Sequence, residues 1–309
     1  ISQNLALEYL SCNGNQISTL DVSPHLVLKS LSCNRNLIST LDVSQNILLE
    51  WLACADNQLT NIDITQNPAL KWFYCDDNQL TNLDASQNTA LDQLTCENNL
   101  ITNLDITHSP VLDFFRCNNN LLSNLNVSQN TALTLFECGE NQLTSLNISQ
   151  NIALTDFFCH NNQLSCLNMK NGFNSQLLTF AAINNPNLTC IEVDNVAWSN
   201  ANWTFIDSQT SFNTTCTNPC AVGIGGLDKS LTNLSLYPNP TTKNIFIELG
   251  EMKENLSASL INNLGQIILT KHFKSIAFFT IELDVPKGIY FLQLSTTDGE
   301  NKTIKVLKE

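Results

Sequence analysis

Eight cysteines recur at a constant interval of 21 residues, and this period constrains the fold of more than half of the chain. They are Cys12, Cys33, Cys54, Cys75, Cys96, Cys117, Cys138 and Cys159. Each has a leucine five residues before it, leucine or phenylalanine two before it and asparagine three after it. A fixed period in this range is the sequence signature of a solenoid, in which each repeat packs against its neighbours. We therefore predict a stack of short, similar coils.

Each repeat has two similar halves. Apolar and polar residues alternate up to the cysteine, which predicts a short strand with its apolar side inward. The asparagine that follows turns the chain, and its amide can satisfy backbone groups that the turn leaves unpaired. The second half repeats this spacing, as at Leu80, Leu83 and Ala85 in the fourth repeat. The repeat has no room for a long helix, so the predicted class is mainly β.

The cysteine column is interpreted as part of the core. A cysteine is a small apolar side chain that suits a narrow interior. Disulfides along the column are the alternative, but parallel side chains give poor geometry for the required dihedral angle. A metal site has still less support, because each rung offers one sulfur and no histidine column lies beside it. We predict buried thiols, no metal and no cofactor.

The repeating unit reads LxxLxCxxNxLxxLDVSxN. This unit resembles the leucine-rich repeat family, in a short form with cysteine at the strand position. The resemblance covers eight copies in register and implies a leucine-rich repeat solenoid. The first residues, Ile1 to Asn4, have the same sequence as Ile148 to Asn151. We therefore expect the chain to begin inside an earlier repeat, so that any signal peptide or N-terminal cap would lie upstream.

The regular coils are predicted to fill residues 1–168, and residues 169–216 to form a degraded ninth coil and a C-terminal cap. Leu177, Phe180 and Ala182 keep part of the repeat spacing. The aromatic residues that follow have irregular spacing and are Trp198, Trp203, Phe205 and Phe212. Bulky residues of this kind are typical of a segment that covers the open end of a solenoid core.

Four cysteines lie outside the column: Cys166, Cys190, Cys216 and Cys220. The segment that contains them resembles the closing segment of bacterial repeat proteins, and that resemblance favours a Cys190–Cys216 disulfide. Cys166 and Cys190 occupy equivalent places on adjacent coils, so this pair is the alternative. The sequence does not choose among the possible pairings. Any of them implies an oxidising, extracytoplasmic environment.

The pattern changes after a predicted linker at residues 217–233, which contains proline and glycine. Short strands are predicted at 245–249, 258–261, 267–270, 279–283, 289–294 and 303–307. The dipeptide Asp298-Gly299 indicates a hairpin between the last two. Residues 234–309 are therefore predicted to form a small β-sandwich.

Several motifs follow one another in this last region. They are Leu236-Tyr237-Pro238-Asn239-Pro240, Asn263-Leu264-Gly265-Gln266, Gly288-Ile289-Tyr290-Phe291 and Lys305-Val306-Leu307-Lys308. In this order they resemble the C-terminal sorting domain of the type IX secretion system, type A. The resemblance implies export by the secretion machinery of a Bacteroidota-type bacterium. The protein would then be secreted or attached to the outer-membrane surface.

Charge and composition exclude several classes of function. Residues 1–220 carry 5 basic and 19 acidic residues, a net charge of −14, which argues against nucleic acid or an anionic membrane as partner. No apolar run is long enough to span a bilayer, so the chain is not predicted to be transmembrane. The 4 histidines stand apart, and no nucleophile motif such as GxSxG is present. We therefore predict that the chain is not an enzyme.

A candidate binding site follows from the strand alternation. Residues three before, one before and one after each cysteine point away from the core, onto the predicted concave face of the solenoid. The candidate ligand-binding residues there are Trp51, Trp72, Tyr74, Asp76, Glu97, Phe114 and Arg116. Exposed aromatic residues at this density indicate a binding surface. Stabilisation of the sheet by cross-strand aromatic pairs is the alternative.

A second column is acidic at first and then neutral: Asp21, Asp42, Asp63, Asp84, Asp105, Asn126, Asn147 and Asn168. A calcium ladder is one interpretation, because calcium prefers hard oxygen ligands. The change to neutral asparagine argues against it. We predict that these side chains cap turns.

Two classes of function remain. The first is a secreted or cell-surface binding protein that recognises a protein, peptide or glycan on its concave face. The second is a passive spacer or adhesin segment of a larger surface protein whose active domain lies upstream.

Overall fold

The computed structural model describes residues 3–218, 220, 234–262, 267–296 and 301–309. The chain divides into two compact units, Ile1–Ile224 and Gly225–Glu309. The first unit is a β-solenoid with a C-terminal cap, and the second is a curled antiparallel sheet. The predicted class, mainly β, is confirmed.

The solenoid consists of three-residue and two-residue strands joined by turns. In chain order the strands are Tyr9–Ser11 (β1), Ser30–Ser32 (β2), Trp51–Ala53 (β3), Trp72–Tyr74 (β4), Leu83–Asp84 (β5), Gln93–Thr95 (β6), Leu104–Asp105 (β7), Phe114–Arg116 (β8), Leu135–Glu137 (β9), Ser145–Asn147 (β10), Asp156–Phe158 (β11), Cys166–Asn168 (β12), Thr179–Ala181 (β13), Cys190–Glu192 (β14) and Ser211–Asn213 (β15).

The first halves of the coils form one continuous parallel sheet of nine strands, in the order β1-β2-β3-β4-β6-β8-β9-β11-β13. We refer to its solvent side as the concave face. On the other side of the core, β5 pairs with β7, and β10, β12, β14 and β15 form a four-stranded sheet. Strands pair in register from one coil to the next, so every residue type stacks in a column.

The core contains a stack of aromatic rings that continues into the cap. Phe115, Phe136 and Phe157 are fully buried, and neighbouring ring centroids lie 5.5 Å apart. Phe180 of the ninth coil extends the stack at 5.9 Å, and Trp203 of the cap lies 4.8 Å further on. Trp203 is only 5% exposed and therefore closes the end of the core, as a cap must.

The cap also contains helical structure. A 3₁₀ turn lies at Asn174–Gln176, and the α-helix α1 spans Val196–Asn202. The side chain of Asn195 caps this helix by accepting a hydrogen bond from the backbone N–H of Trp198 at 3.1 Å. This helix lies beyond the regular coils, whose strands are joined by turns alone.

The cysteine column is buried as predicted, with one exception. The thiols from Cys33 to Cys159 are free and fully buried. Burial raises the pKa of the Cys33 thiol to about 12, and it raises the pKa of the other buried column thiols as well. Cys12, in the first coil of the chain, is partly exposed.

The asparagine three after each cysteine connects adjacent coils. The Asn99 amide donates to the backbone carbonyl of Cys75 at 3.0 Å and to that of Cys96 at 3.2 Å. Its Oδ1 accepts from the backbone N–H of Leu80 at 2.9 Å. The same contacts recur around Asn78 and Asn120. The predicted role of this asparagine in satisfying turn backbone groups is confirmed.

The residue two after each cysteine has a left-handed backbone conformation, and several of these residues form an outer side-chain ladder. The Asn119 amide donates to Asn98 Oδ1 at 2.8 Å, and the Asn184 amide donates to Asn161 Oδ1 at 2.6 Å. Glu140 stands between these two pairs with φ +54°. Glutamate adopts this left-handed conformation less readily than asparagine, whose short side chain can form hydrogen bonds with the nearby backbone.

We expect the substitution Glu140→Asn to stabilise the solenoid by about 1 kcal/mol, from relief of backbone strain and from new ladder hydrogen bonds. Urea unfolding of the variant and the native chain measures the difference. Glu140→Gln is the matched control, because it removes the same charge but has neither the shorter amide nor the preference for positive φ. Equal stabilisation by both variants would show that charge, and not the ladder, is responsible.

Two disulfides stabilise the C-terminal end of the solenoid. Cys190 is bonded to Cys216, the pair that the resemblance favoured. Cys166 is bonded to Cys220 and so does not pair with Cys190, which was the alternative. The second bond joins residue 220 to the last regular coil, although the sequence placed this residue in the linker. Residue 220 differs from its predicted place in the linker because the chain returns to the last regular coil after the cap.

The second unit is a five-stranded antiparallel sheet around its own core. Its strands are Ser235–Tyr237 (β16), Asn244–Asn262 (β17), Ile267–Glu282 (β18), Gly288–Ser295 (β19) and Asn301–Lys308 (β20). β17 and β18 each contain two of the predicted short strands. The sequence interruption near Gly250, which has φ +73°, is accommodated by a register shift between Glu248 and Lys253 and does not end the strand.

Most of the predicted linker, the motif at 263–266 and the turn at Asp298-Gly299 lie outside the described residues. In the part of the chain that the structure describes, no helix has the length and apolar character needed to cross a membrane.

Candidate binding face of the solenoid

Three aromatic residues on adjacent strands form a cluster on the concave face. The ring centroids of Trp51 and Trp72 lie 5.7 Å apart, and those of Trp51 and Tyr74 lie 5.0 Å apart. Trp51 is 36% exposed, and the other two rings are half-buried. Strand alternation places all three on the solvent side, because Leu52 and Phe73 fill the core side. We call Trp51, Trp72 and Tyr74 the aromatic cluster.

Neighbouring polar contacts hold this cluster in place. The Tyr74 hydroxyl donates to Gln93 Oε1 at 2.7 Å. The Lys71 ammonium lies 5.9 Å from the centre of the Trp72 ring and 2.8 Å from Glu50 Oε2. Such contacts fix the rings before any ligand arrives, which reduces the entropy lost on binding.

Two carboxylates lie beside the cluster. Asp76 accepts hydrogen bonds from Thr95 Oγ1 at 2.5 Å and from the Glu97 backbone N–H at 2.9 Å. Glu97 accepts one from the Asn118 amide at 2.5 Å. Burial raises the pKa of both carboxyl groups, and these hydrogen bonds oppose that shift. Both side chains are thus held by neutral donors in a partly desolvated position.

Phe114 and Arg116 form a separate group further along the sheet. The Arg116 guanidinium lies 4.8 Å from the centre of the Phe114 ring, and its Nε is 3.0 Å from Glu137 Oε1. Strand β6, with Gln93, stands between this group and the aromatic cluster. The structure therefore brings Trp51, Trp72 and Tyr74 together and Phe114 with Arg116. Asn118, which donates to both Glu97 and Glu137, connects Glu97 to the second group.

The sequence analysis missed the residue just before each strand. The Lys29 ammonium is 2.9 Å from Glu8 Oε2 of the preceding coil, and Lys71 pairs with Glu50 in the same way. The signal was present in the alternation of charge at this position over the first four coils. The predicted face was defined by three positions around each cysteine, and this fourth position is not one of them.

Next to the aromatic cluster the face has a trough of about 330 Å³. It is lined by Asn13, Asn34, Arg35, Ala55, Asp56, Asp76 and Asp77. Ala55 occupies a position where neighbouring coils have asparagine or aspartate, and its short side chain leaves room there. The trough is open to solvent and has acidic walls.

The second column of acidic residues caps turns, as predicted. Asp42 Oδ1 accepts from the Ser44 backbone N–H at 2.9 Å, and Asn126 Oδ1 accepts from the Ser128 backbone N–H at 3.0 Å. Hydrogen bonds from Ser44 lower the pKa of Asp42. Because asparagine forms the same turn, the column can change from aspartate to asparagine without a change of structure.

Comparison with protein families and solved structures finds proteins similar to each unit. Residues 235–309 match the family model of the secretion system C-terminal sorting domain. The functional domain of InlJ from Listeria monocytogenes, which includes a cysteine ladder, is 22% identical with a TM-score of 0.52, covering 100% of this chain and 87% of that chain. A leucine-rich repeat protein of Leptospira interrogans is 20% identical with a TM-score of 0.56, covering 69% of this chain and 62% of that chain.

At these identities the similarity establishes the fold and not the ligand. A comparison with curated proteins finds no match. The repeats, the parallel strands and the two solved structures agree on the first unit, and the family model identifies the second. The first unit therefore has the fold of leucine-rich repeat proteins, and residues 235–309 match the secretion system C-terminal sorting domain.

Proposed function

We propose that this protein is exported through its sorting domain and binds a partner on the concave face of its solenoid. The observation that carries the proposal is the aromatic cluster. Large aromatic residues on a solvent-facing sheet dominate binding energy in many interfaces, and here three of them are packed together. We take recognition, and not catalysis, as its mode of action, because three packed aromatic rings are the main feature of the face.

The double substitution Trp72→Ser and Tyr74→Ser should weaken binding by at least about 2 kcal/mol, roughly thirtyfold in Kd. A partner is first identified by screening the chain against glycan arrays and bacterial surface proteins. Affinity is then measured beside the thermal midpoint. Phe205→Ser is the control, because Phe205 is 64% exposed and belongs to the cap.

The control variant should bind with unchanged affinity. The double variant should remain folded, because neither Trp72 nor Tyr74 belongs to the buried core. Unfolding of the double variant with unchanged affinity per folded molecule would mean that the cluster serves the sheet alone.

Deletion of residues 234–309 should abolish export from a host with a type IX system, because the sorting domain is the part that this machinery handles. Immunoblots of cell and medium fractions measure the effect. In the reverse experiment, these residues fused to a reporter should direct it out of the cell. Normal export of the deleted chain would contradict the assignment.

A further inference from the structure

We propose that the concave face recognises a cationic segment of another protein, an extended stretch that carries lysine or arginine side chains. This inference rests on the proposed function and specifies the chemistry of its partner. It is carried by the balance of charge on the face, by the way the face already holds cations and by the shape of the trough beside the aromatic cluster.

The concave face carries more carboxylates than basic side chains that could form ion pairs with them. Of its basic residues, Lys29, Lys71 and Arg116 each lie in an ion pair with a glutamate, at 2.9, 2.8 and 3.0 Å respectively. Arg35, in the lining of the trough, is 4.0 Å from Asp56. The other carboxylates of the face are Asp76, Asp92, Glu97, Asp113 and Asp156. Among the described residues, none of these five lies within ion-pair distance of a basic side chain.

The donors that reach these carboxylates are neutral. Asp76 is held by Thr95, Glu97 by Asn118, and Asp113 by the hydroxyl of Thr134. Hydrogen bonds from neutral groups orient a carboxylate but leave its charge in place. A ligand cation would provide the missing charge, and it would interact most strongly where the carboxylate is already partly removed from water.

The aromatic rings of the face already accept cations. Lys71 lies 5.9 Å from the ring of Trp72, and Arg116 lies 4.8 Å from the ring of Phe114. Trp51 and Tyr74 meet at 56°, and their rings form an open corner. After burial, the charges of Asp92 and Asp76 are the causes that raise the pKa of Tyr74. A cation beside these rings would be attracted by the ring faces and by the charges of both carboxylates.

The trough gives such a cation a place to enter. The residues that line it include Asp56, Asp76 and Asp77, and the short side chain of Ala55 leaves space between them. Arg35, at 4.0 Å from Asp56, is the basic residue in its lining. A long side chain with a terminal charge can contact the alanine through its methylene groups while its charged head meets the carboxylates. A neutral sugar would leave those charges uncompensated, and nucleic acid would be repelled.

The experiment selects peptides from a library of random-sequence dodecapeptides displayed on phage, with the full chain as bait. Lysine and arginine should be enriched among the selected peptides. A synthetic copy of the strongest binder should lose affinity when its basic residues are replaced by glutamine, and its affinity should fall as salt is raised. The Trp72→Ser and Tyr74→Ser double variant should bind it at least about thirtyfold more weakly.

Two charge variants separate a specific site from general attraction to an acidic protein. Asp76→Asn should weaken binding of that peptide about tenfold, because it removes a carboxylate at the site. Asp84→Asn makes the same change of charge at an exposed turn, where the equivalent Asn126 forms the same cap, and should leave affinity unchanged.

The outcomes distinguish the two proposals. Selected peptides that lack lysine and arginine but still require Trp72 and Tyr74 would overturn the cationic partner and leave the binding function standing. Peptides whose binding does not depend on Trp72 and Tyr74 would contradict both proposals. An equal loss of affinity with Asp76→Asn and Asp84→Asn would reduce the effect to net charge and overturn the inference.

Discussion

Raising the pH from neutral to about 10 should lower the free energy of unfolding of the solenoid by about 10 kcal/mol. Seven column thiols, from Cys33 to Cys159, are fully buried. Desolvation raises their pKa well above the ordinary value of 9.0. In the unfolded chain these thiols ionise as the pH passes 9, whereas in the folded chain they remain protonated.

The direction of the effect follows from proton binding. Above the unfolded-state pKa the folded state binds more protons than the unfolded state, so stability falls as pH rises until the folded-state pKa is reached. Each thiol contributes about 1.4 kcal/mol per pH unit in this range, and the contributions of the seven add. The expected total is comparable with the whole stability of a typical domain, so the solenoid should unfold in mild alkali.

Urea unfolding followed by circular dichroism at several pH values measures this dependence. The matched control is the double variant Cys117→Ala and Cys138→Ala, which removes two of the seven buried thiols. Alanine fits this column, since Ala182 occupies the equivalent position in the ninth coil and is 1% exposed. The variant should be less stable at neutral pH, but the slope of stability against pH should fall by about two-sevenths. An unchanged slope would assign the effect to other groups.

Most of the solenoid could be predicted from the sequence, because each of the eight copies of the repeat predicts the same local structure. The alternation around each cysteine was enough to place Trp51 and Trp72 on the solvent side and Phe73 in the core. The position of the turns followed from the asparagine three after each cysteine. These features depend on residues close together in the chain or one repeat apart.

The features that the sequence did not reveal depend on contacts outside this pattern. The Cys166–Cys220 disulfide requires the chain to return to the last regular coil after the cap, and no local signal indicates that path. The length of β17 depends on pairing that continues past a bulge, although the apolar alternation is interrupted there. On the concave face, pairing of Lys71 with Glu50 joins two coils through residues that precede the strands. The ligand-binding role of the face stays a prediction.

The substitution Phe136→Ala should lower the free energy of unfolding by about 3–5 kcal/mol, the second largest effect that we expect. The ring is fully buried and stacks between Phe115 and Phe157, with centroids 5.5 Å away on each side. Alanine would leave a cavity between two rings that strand pairing keeps in register, so the neighbours cannot close it. Urea unfolding at neutral pH measures the loss.

A pair of leucine variants separates ring stacking from volume. Phe73 is equally buried, but its in-register neighbours are Leu52 and Leu94, so Phe73→Leu removes a ring without breaking an aromatic stack. Phe136→Leu makes the same change and also breaks two stacked contacts. Each contact contributes about 0.5–1.5 kcal/mol beyond the buried area, so Phe136→Leu should cost about 1–3 kcal/mol more than Phe73→Leu. Equal costs would mean that the rings stabilise the core through volume alone, and the aromatic column that runs into Trp203 would then be a consequence of packing in register.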